Sequence, residues 1–308
     1  MIIYVNTVMK NRKKFIAILA FLLIDAIGLV YIAVDYKADV YTIENPQYAM
    51  AYDEDVVDND GFLAQVSEAI TVDGNTNLNL PQLSYIEIMS GCGPYFSTGE
   101  CINVRSGPGT EYPVQTRLRT GVVLHVDSVL VEGDGRFWYK VIQDRGLRYA
   151  ERVNGDWYVA VDDDSIRTFS DVGPIDLADD VATTTKRVVI NLTEERLYAY
   201  DGDMLYLEED ISSGLDLTPT PRGVFYVYRK TPSRYMQGPL PGISSQYYDL
   251  PGVPWNLYFT YQGAVIHGAY WHDKFGEAWS HGCANLPLDT ARVLYEWADL
   301  GMEVRVTD

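Results

Sequence analysis

Ser280-His281-Gly282-Cys283-Ala284-Asn285, with Gly263-Ala264-Val265-Ile266-His267-Gly268 upstream of it, is the stretch on which the reading of this chain turns. His267 stands 16 positions before Cys283. The chain holds only four histidines and three cysteines, and His267, His272 and His281 crowd around one of those cysteines. The thiolate is the reactive form of cysteine, so a thiol needs a nearby base to attack a carbonyl at neutral pH. His267 closes an apolar run that reads as a strand and would present the imidazole rigidly. Gly268 allows close backbone approach, and Gly282 leaves room for a substrate carbonyl beside backbone donors.

The surroundings read as β. Arg187–Leu192 and Arg196–Tyr200 are strand-like, and Asp201-Gly202 is a hairpin turn before Met204–Leu207. Gly223–Tyr228, Leu257–Tyr261 and Ala264–His267 follow. Pro287 at a start, Ala291, Leu294 and Ala298 on one face and Gly301 past the end predict one amphipathic helix, and Met302, Val304 and Val306 alternate as a last strand.

The six-residue motif, preceded by His267-Gly268-Ala269-Tyr270-Trp271, resembles the active-site signature of the L,D-transpeptidases, and Thr220-Pro221-Arg222-Gly223 resembles a strand opening of that family. Many relatives carry Arg where this chain has Asn285. The resemblance covers residues 186–308. It implies that Cys283, paired with His267, attacks a peptidoglycan stem peptide, releases D-alanine and passes the thioester to the amine of another stem. It leaves His281 as a support for the cysteine loop or a backbone donor, and Ser280 and Asn285 as partners in loop hydrogen bonds. Trp271 reads as groove wall or as core, and His272 as a polar surface residue. A zinc site from His267, His272, His281, Cys283 and Asp273 has the ligand types but none of the usual spacings, so no metal and no cofactor is expected. Two other functions share these residues: a catalytically silent wall-binding scaffold, and a thioester-forming carboxypeptidase or amidase.

Residues 91–168 are punctuated by Gly and Pro between short apolar runs, which predicts an all-β domain. Ile102-Asn103-Val104-Arg105-Ser106-Gly107-Pro108-Gly109-Thr110 and Trp138-Tyr139-Lys140-Val141 resemble a bacterial SH3-like domain, a small barrel whose relatives commonly bind cell-wall peptide or glycan. The alternative is a spacer module without a ligand. His125, in a strand-like run, reads as structural. Residues 169–185 read as a linker.

Phe15 to Val34 is apolar except for Asp25 and Gly28. Twenty helical residues span about 30 Å, the thickness of a bilayer core. The nearby positive charge precedes this stretch, which places the N-terminus in the cytoplasm and the remainder outside. A cleaved signal peptide ending near Ala26-Ile27-Gly28 and a buried helix are the competing readings; the first two both export the body of the protein. Residues 37–90 set Lys37 against ten acids and read as an acidic spacer, with a short helix at Phe62–Ile70.

The expected architecture is therefore mainly β. Residues 1–36 form a cytoplasmic tail and transmembrane helix, 37–90 a spacer, 91–168 an SH3-like barrel, 169–185 a linker, and 186–308 a β-sandwich-like catalytic domain with one prominent helix. A net charge of −19 over 308 residues argues against nucleic acid and anionic lipid surfaces as partners. The partners expected are stem peptides, the cell wall through the SH3-like domain, and a membrane through residues 15–34. Export permits a Cys92–Cys101 disulfide, which leaves Cys283 as the free thiol; the competing reading of Cys92 and Cys101 is as small buried hydrophobes.

Overall fold

The sequence Leu83-Ser84-Tyr85-Ile86-Glu87-Ile88 forms a strand with both faces covered. Tyr85 points into one hydrophobic cluster, and Ile86 and Ile88 into another. The computed structural model describes residues 82–176, 184–242 and 244–308. This first strand, β1 (Leu83–Ile88), belongs to an eight-stranded sheet with β2 (Ile102–Arg105), β3 (Val114–Leu118), β4 (Val123–Val126), β5 (Val131–Gly133), β6 (Arg136–Val141), β7 (Trp157–Ala160) and β8 (Ile166–Asp171). The order is β3-β2-β7-β6-β4-β1-β8, with β5 on β6.

Two boundaries therefore move. β1 lies inside the stretch read as acidic spacer, and pairs antiparallel with β4 and β8. β8 runs past residue 168 into the stretch read as linker, and so does β9 (Ile175–Asp176). Ten acids flattened the apparent character of residues 37–90, and hid six residues whose burial pairs them with strands far along the chain.

The second half contains β10 (Lys186–Asn191), β11 (Arg196–Asp201), β12 (Met204–Asp210), β13 (Gly223–Tyr226), β14 (Arg229–Leu240), β15 (Ser244–Tyr258), β16 (Val265–Gly268), β17 (Ala284–Leu286) and β18 (Glu303–Thr307). Its one α-helix among the described residues, α1 (Leu288–Trp297), runs between β17 and β18. Two five-stranded sheets result, β12-β11-β10-β18-β13 and β17-β16-β15-β14-β9. Val188, Ile190, Leu197, Val304 and Val306 of the first meet Trp255, Leu257, Ile266, Ala284 and Leu286 of the second in one core. The helix adds Ala291 and Leu294, the face its spacing predicts, and Ala298 just past its end is buried in the same core. Burying a side chain of this size stabilises by about 1.5–3 kcal/mol, so the core is what holds the two sheets face to face.

The transmembrane helix expected at residues 15–34, the tail and the helix at Phe62–Ile70 lie outside the described residues. Among the described residues no helix is long and apolar enough to cross a membrane.

Candidate active site

Parallel pairing of β16 with β17 sets the geometry. Ile266 opposes Ala284, His267 opposes Asn285 and Gly268 opposes Leu286. Side chains alternate along a strand, so Ile266 and Ala284 point together into the sandwich core. His267 and Asn285 then share the opposite face, and Cys283, one residue before β17, reaches that face too. There it packs against the cluster of Tyr228, Tyr258 and Val265. The register brings the two histidine-bearing and cysteine-bearing segments of the sequence motif to adjoining positions on one sheet surface.

His267 is 2% exposed. Its Nδ1 lies 3.1 Å from the carbonyl oxygen of Gly268. A carbonyl only accepts, so Nδ1 carries the hydrogen and Nε2 keeps its lone pair. Burial pulls the imidazole pKa down to about 4, although the Gly268 bond works in the other direction. Cys283 is the free cysteine and is partly exposed. Burial of its sulfur pushes the thiol up to about 11, against the hydrogen bond from the Val265 backbone. Its Sγ lies 3.9 Å from the Gly263 carbonyl oxygen, the partner of a protonated thiol. Burial thus favours the neutral form of both groups, the imidazole and the thiol alike.

The cysteine loop is tied down from several sides. Ser280 Oγ donates to the Cys283 carbonyl at 2.5 Å and accepts from the Gly282 N–H at 3.1 Å. The Gly282 N–H is thus engaged by Ser280. Gly282 itself sits at φ 113°, a conformation that favours glycine. Thr220, from the Thr-Pro-Arg-Gly stretch, donates to the same Cys283 carbonyl at 3.4 Å and accepts from the Gly214 N–H at 2.9 Å. Isolated bridges join Ser212 to Asn285 and Gly214 to Ser280, so residues 212–220 wall this side of the loop.

Gly268 serves packing. A Cβ on it would come within 3.0 Å of Pro254 and 3.2 Å of Ala291, so the glycine lets β16 lie against the helix. Trp271 packs on the first-domain cluster, and its ring lies 5.7 Å from that of His267. His281 is held from the side, with Nε2 2.9 Å from Gln246 Oε1 and its ring 5.5 Å from Tyr248.

His272 departs from expectation. Read as a surface residue, it is 2% exposed. The Lys274 N–H donates to its Nδ1 at 3.1 Å, and its Nε2 lies 2.8 Å from the side-chain amide of Asn285. With Nδ1 accepting, Nε2 must be the protonated nitrogen, and it needs an acceptor. Asn285 Nδ2 faces the imidazole, and turning the amide about so that Oδ1 takes its place meets that need. Its nitrogen is then the amide end with no partner, buried on the face that carries Cys283 and His267. Nothing in the spacing of residues 271–275 signals this; only the fold brings His272 to β17. Both ring nitrogens of His272 are thereby spoken for. Among the described residues no group of three or more His, Cys, Asp or Glu side chains is placed to hold a metal ion.

Cys92 and Cys101 are joined in a disulfide with a Cα–Cα distance of 4.4 Å. The loop they close carries Tyr95, whose hydroxyl lies 3.4 Å from Asp273.

Two family models match this chain. Residues 185–306 match the YkuD family, described as the L,D-transpeptidase catalytic domain. Residues 185–306 belong to that family. Residues 101–155 match the bacterial SH3 domain family, so the SH3 domain precedes the catalytic one. Among solved structures, an L,D-transpeptidase from Mycobacterium smegmatis is similar at 21% identity and TM-score 0.38, over 59% of this chain and 97% of that one. The catalytic domain of an E. faecium L,D-transpeptidase is similar at 28% identity and TM-score 0.36, over 41% and 98%. L,D-transpeptidase 1 of Mycobacterium tuberculosis is similar at 18% identity and TM-score 0.35, over 50% and 77%. No curated protein matches.

Proposed function

We propose that this protein is a peptidoglycan L,D-transpeptidase working through a thioester on Cys283. The observation that carries the reading is the shared face of β16 and β17, where His267, with Nε2 free to accept, stands beside the cysteine segment. Sγ attacks the carbonyl that precedes the terminal D-alanine of a stem tetrapeptide, and the thiol hydrogen passes to Nε2 of His267. The C–N bond breaks, the imidazolium returns the proton to the departing D-alanine amine, and the acyl group stays on sulfur. The side-chain amine of a second stem then attacks the thioester, gives its proton to His267 and regenerates the thiol. Water in place of that amine gives carboxypeptidase chemistry on the same intermediate.

Asn285 and the Cys283 loop hold the acyl carbonyl, and Trp271 closes the wall beside His267. The apolar stretch of sequence at residues 15–34 anchors the chain with the catalytic domain outside the cytoplasm, and the SH3 domain contributes contact with the wall. The test is mass spectrometry of the full chain incubated with a stem tetrapeptide. We expect a covalent acyl adduct and released D-alanine, both lost in Cys283→Ala. D-alanine release that survives this substitution sinks the proposal.

A further inference from the structure

The two domains do not merely adjoin. Tyr85 and Val123 of the first-domain sheet sit in the core of the catalytic sandwich, while Tyr235, Val253 and Tyr270 of the catalytic domain sit in the core of the first-domain sheet. Glu87 of β1, itself buried, is ion-paired with Arg167 of β8 and lies 3.9 Å from Arg292 of α1. Gly252 on β15 has φ 63°, and a Cβ there would lie 2.3 Å from the Val123 carbonyl oxygen. A backbone atom cannot swing aside, so this is close contact between rigid parts.

The polar contacts concentrate on one element. Residues 144–152, between β6 and β7, grip the β14–β15 hairpin. Arg152 Nη1 donates to the Gly238 carbonyl at 2.7 Å and lies 3.4 Å from the Tyr248 carbonyl oxygen, and Gly238 and Tyr248 are directly paired across the hairpin. The guanidinium is also 3.8 Å from Asp249 and stacks over Tyr149 and Tyr247, at 3.8 and 4.5 Å from their ring centres. The Tyr149 hydroxyl donates to the Pro239 carbonyl at 2.7 Å, and its N–H donates to Gln237 Oε1 at 2.8 Å. One planar cation thus ties both strands of the hairpin together. The same hairpin delivers Gln246 and Tyr248 to His281, two residues before Cys283.

We propose that the SH3 domain is a working part of the active site, with Arg152 as the positioning residue. It fixes the β14–β15 hairpin, and the hairpin fixes His281 and the cysteine loop. This rests on the transpeptidase reading above and adds a route by which a contact outside the catalytic domain sets the acylation rate. Catalytic groups tolerate little displacement, since about 1 Å of misplacement can cost 10²-fold.

The experiment uses the full chain with Arg152→Ala and Tyr149→Phe. Hydrogen exchange reads the hairpin without reference to turnover, and D-alanine release from a stem tetrapeptide gives kcat and KM separately. We expect faster amide exchange confined to residues 237–249 in Arg152→Ala. We also expect kcat lower by at least about tenfold with KM little changed, and a smaller change of the same kind in Tyr149→Phe. Because Tyr149→Phe removes only a hydroxyl, it keeps the test open if Arg152→Ala misfolds. Unaltered exchange at 237–249 and unaltered kcat in folded variants overturn the inference. Cys283→Ala run alongside separates the two ideas: if it abolishes release while Arg152→Ala does not affect it, the transpeptidase stands and the SH3 domain is only its neighbour.

Discussion

The imidazole of His272 and the side-chain amide of Asn285 lie 2.8 Å apart, both buried, with the Lys274 N–H closing the other ring nitrogen. That pair orients the residue two positions after Cys283. Replacing His272 by Ala leaves the Asn285 amide without its partner and opens a cavity, which together cost about 2–4 kcal/mol. We expect a matching drop in unfolding free energy by chemical denaturation. Nitrogen-15 NMR of the wild-type imidazole should show the Nε2–H tautomer at pH 7. The Nδ1–H tautomer there would remove the argument for how Asn285 is turned.

Cys283 should behave as a sheltered thiol. With its pKa pushed up to about 11, alkylation by iodoacetamide is slow at pH 7 and accelerates through the alkaline range. A thiol activated by a standing ion pair would label quickly at pH 6–7. Rapid labelling at that pH would show that imidazole and sulfur exchange their proton before substrate arrives.

Acid should destabilise the fold before its carboxylates matter. His267 and His272 are both depressed to about 4 by burial, from an ordinary value of 6.5. Between those values the unfolded chain takes up protons that the folded chain refuses, so stability rises with pH across the window. The contribution is complete above about pH 6.5 and lost as pH falls toward 4, by roughly 3 kcal/mol for each histidine. Denaturation midpoints at pH 7 and pH 4.5 measure it. His272→Gln should lose less stability between the two; an equal loss would mean that His272 is not buried neutral.

The Cys92–Cys101 bridge closes a short loop, with a sequence separation of 9. A loop of that length is worth about 2.7 kcal/mol by chain entropy. Cys92→Ser with Cys101→Ser should lower the unfolding free energy by about that amount. A reductant should have the same effect on the wild type and none on the double variant.

The sequence carries the chemistry of the site more openly than its support. Cys283, His267, Ser280 and Thr220 stand in short motifs, and the helix with Ala291, Leu294 and Ala298 has a regular period. β14 and β15 do not announce themselves. Pro232, Pro239, Pro241, Gly242, Pro251, Gly252 and Pro254 punctuate them as loops, and register shifts near Arg234 and Gly238 accommodate some of these breakers. β1 was masked by the acids before it, and His272 by the lack of any local pattern. In each case the missing information is the identity of a distant partner strand, which no window of sequence contains.

The interlocked cores bear on how such a protein can be taken apart. A recombinant piece cut at residue 186 would expose Tyr235, Val253 and Tyr270 to water, and would lose Tyr85 and Val123 from its own interior. Apolar surface laid bare in that way drives clumping. The seam also resists module shuffling: a foreign SH3 unit spliced in at the same place would need a strand whose backbone seats against Gly252 as that of Val123 does, and a cation reaching the hairpin. For this polypeptide the unit that folds, and the unit that selection acts on, is the pair.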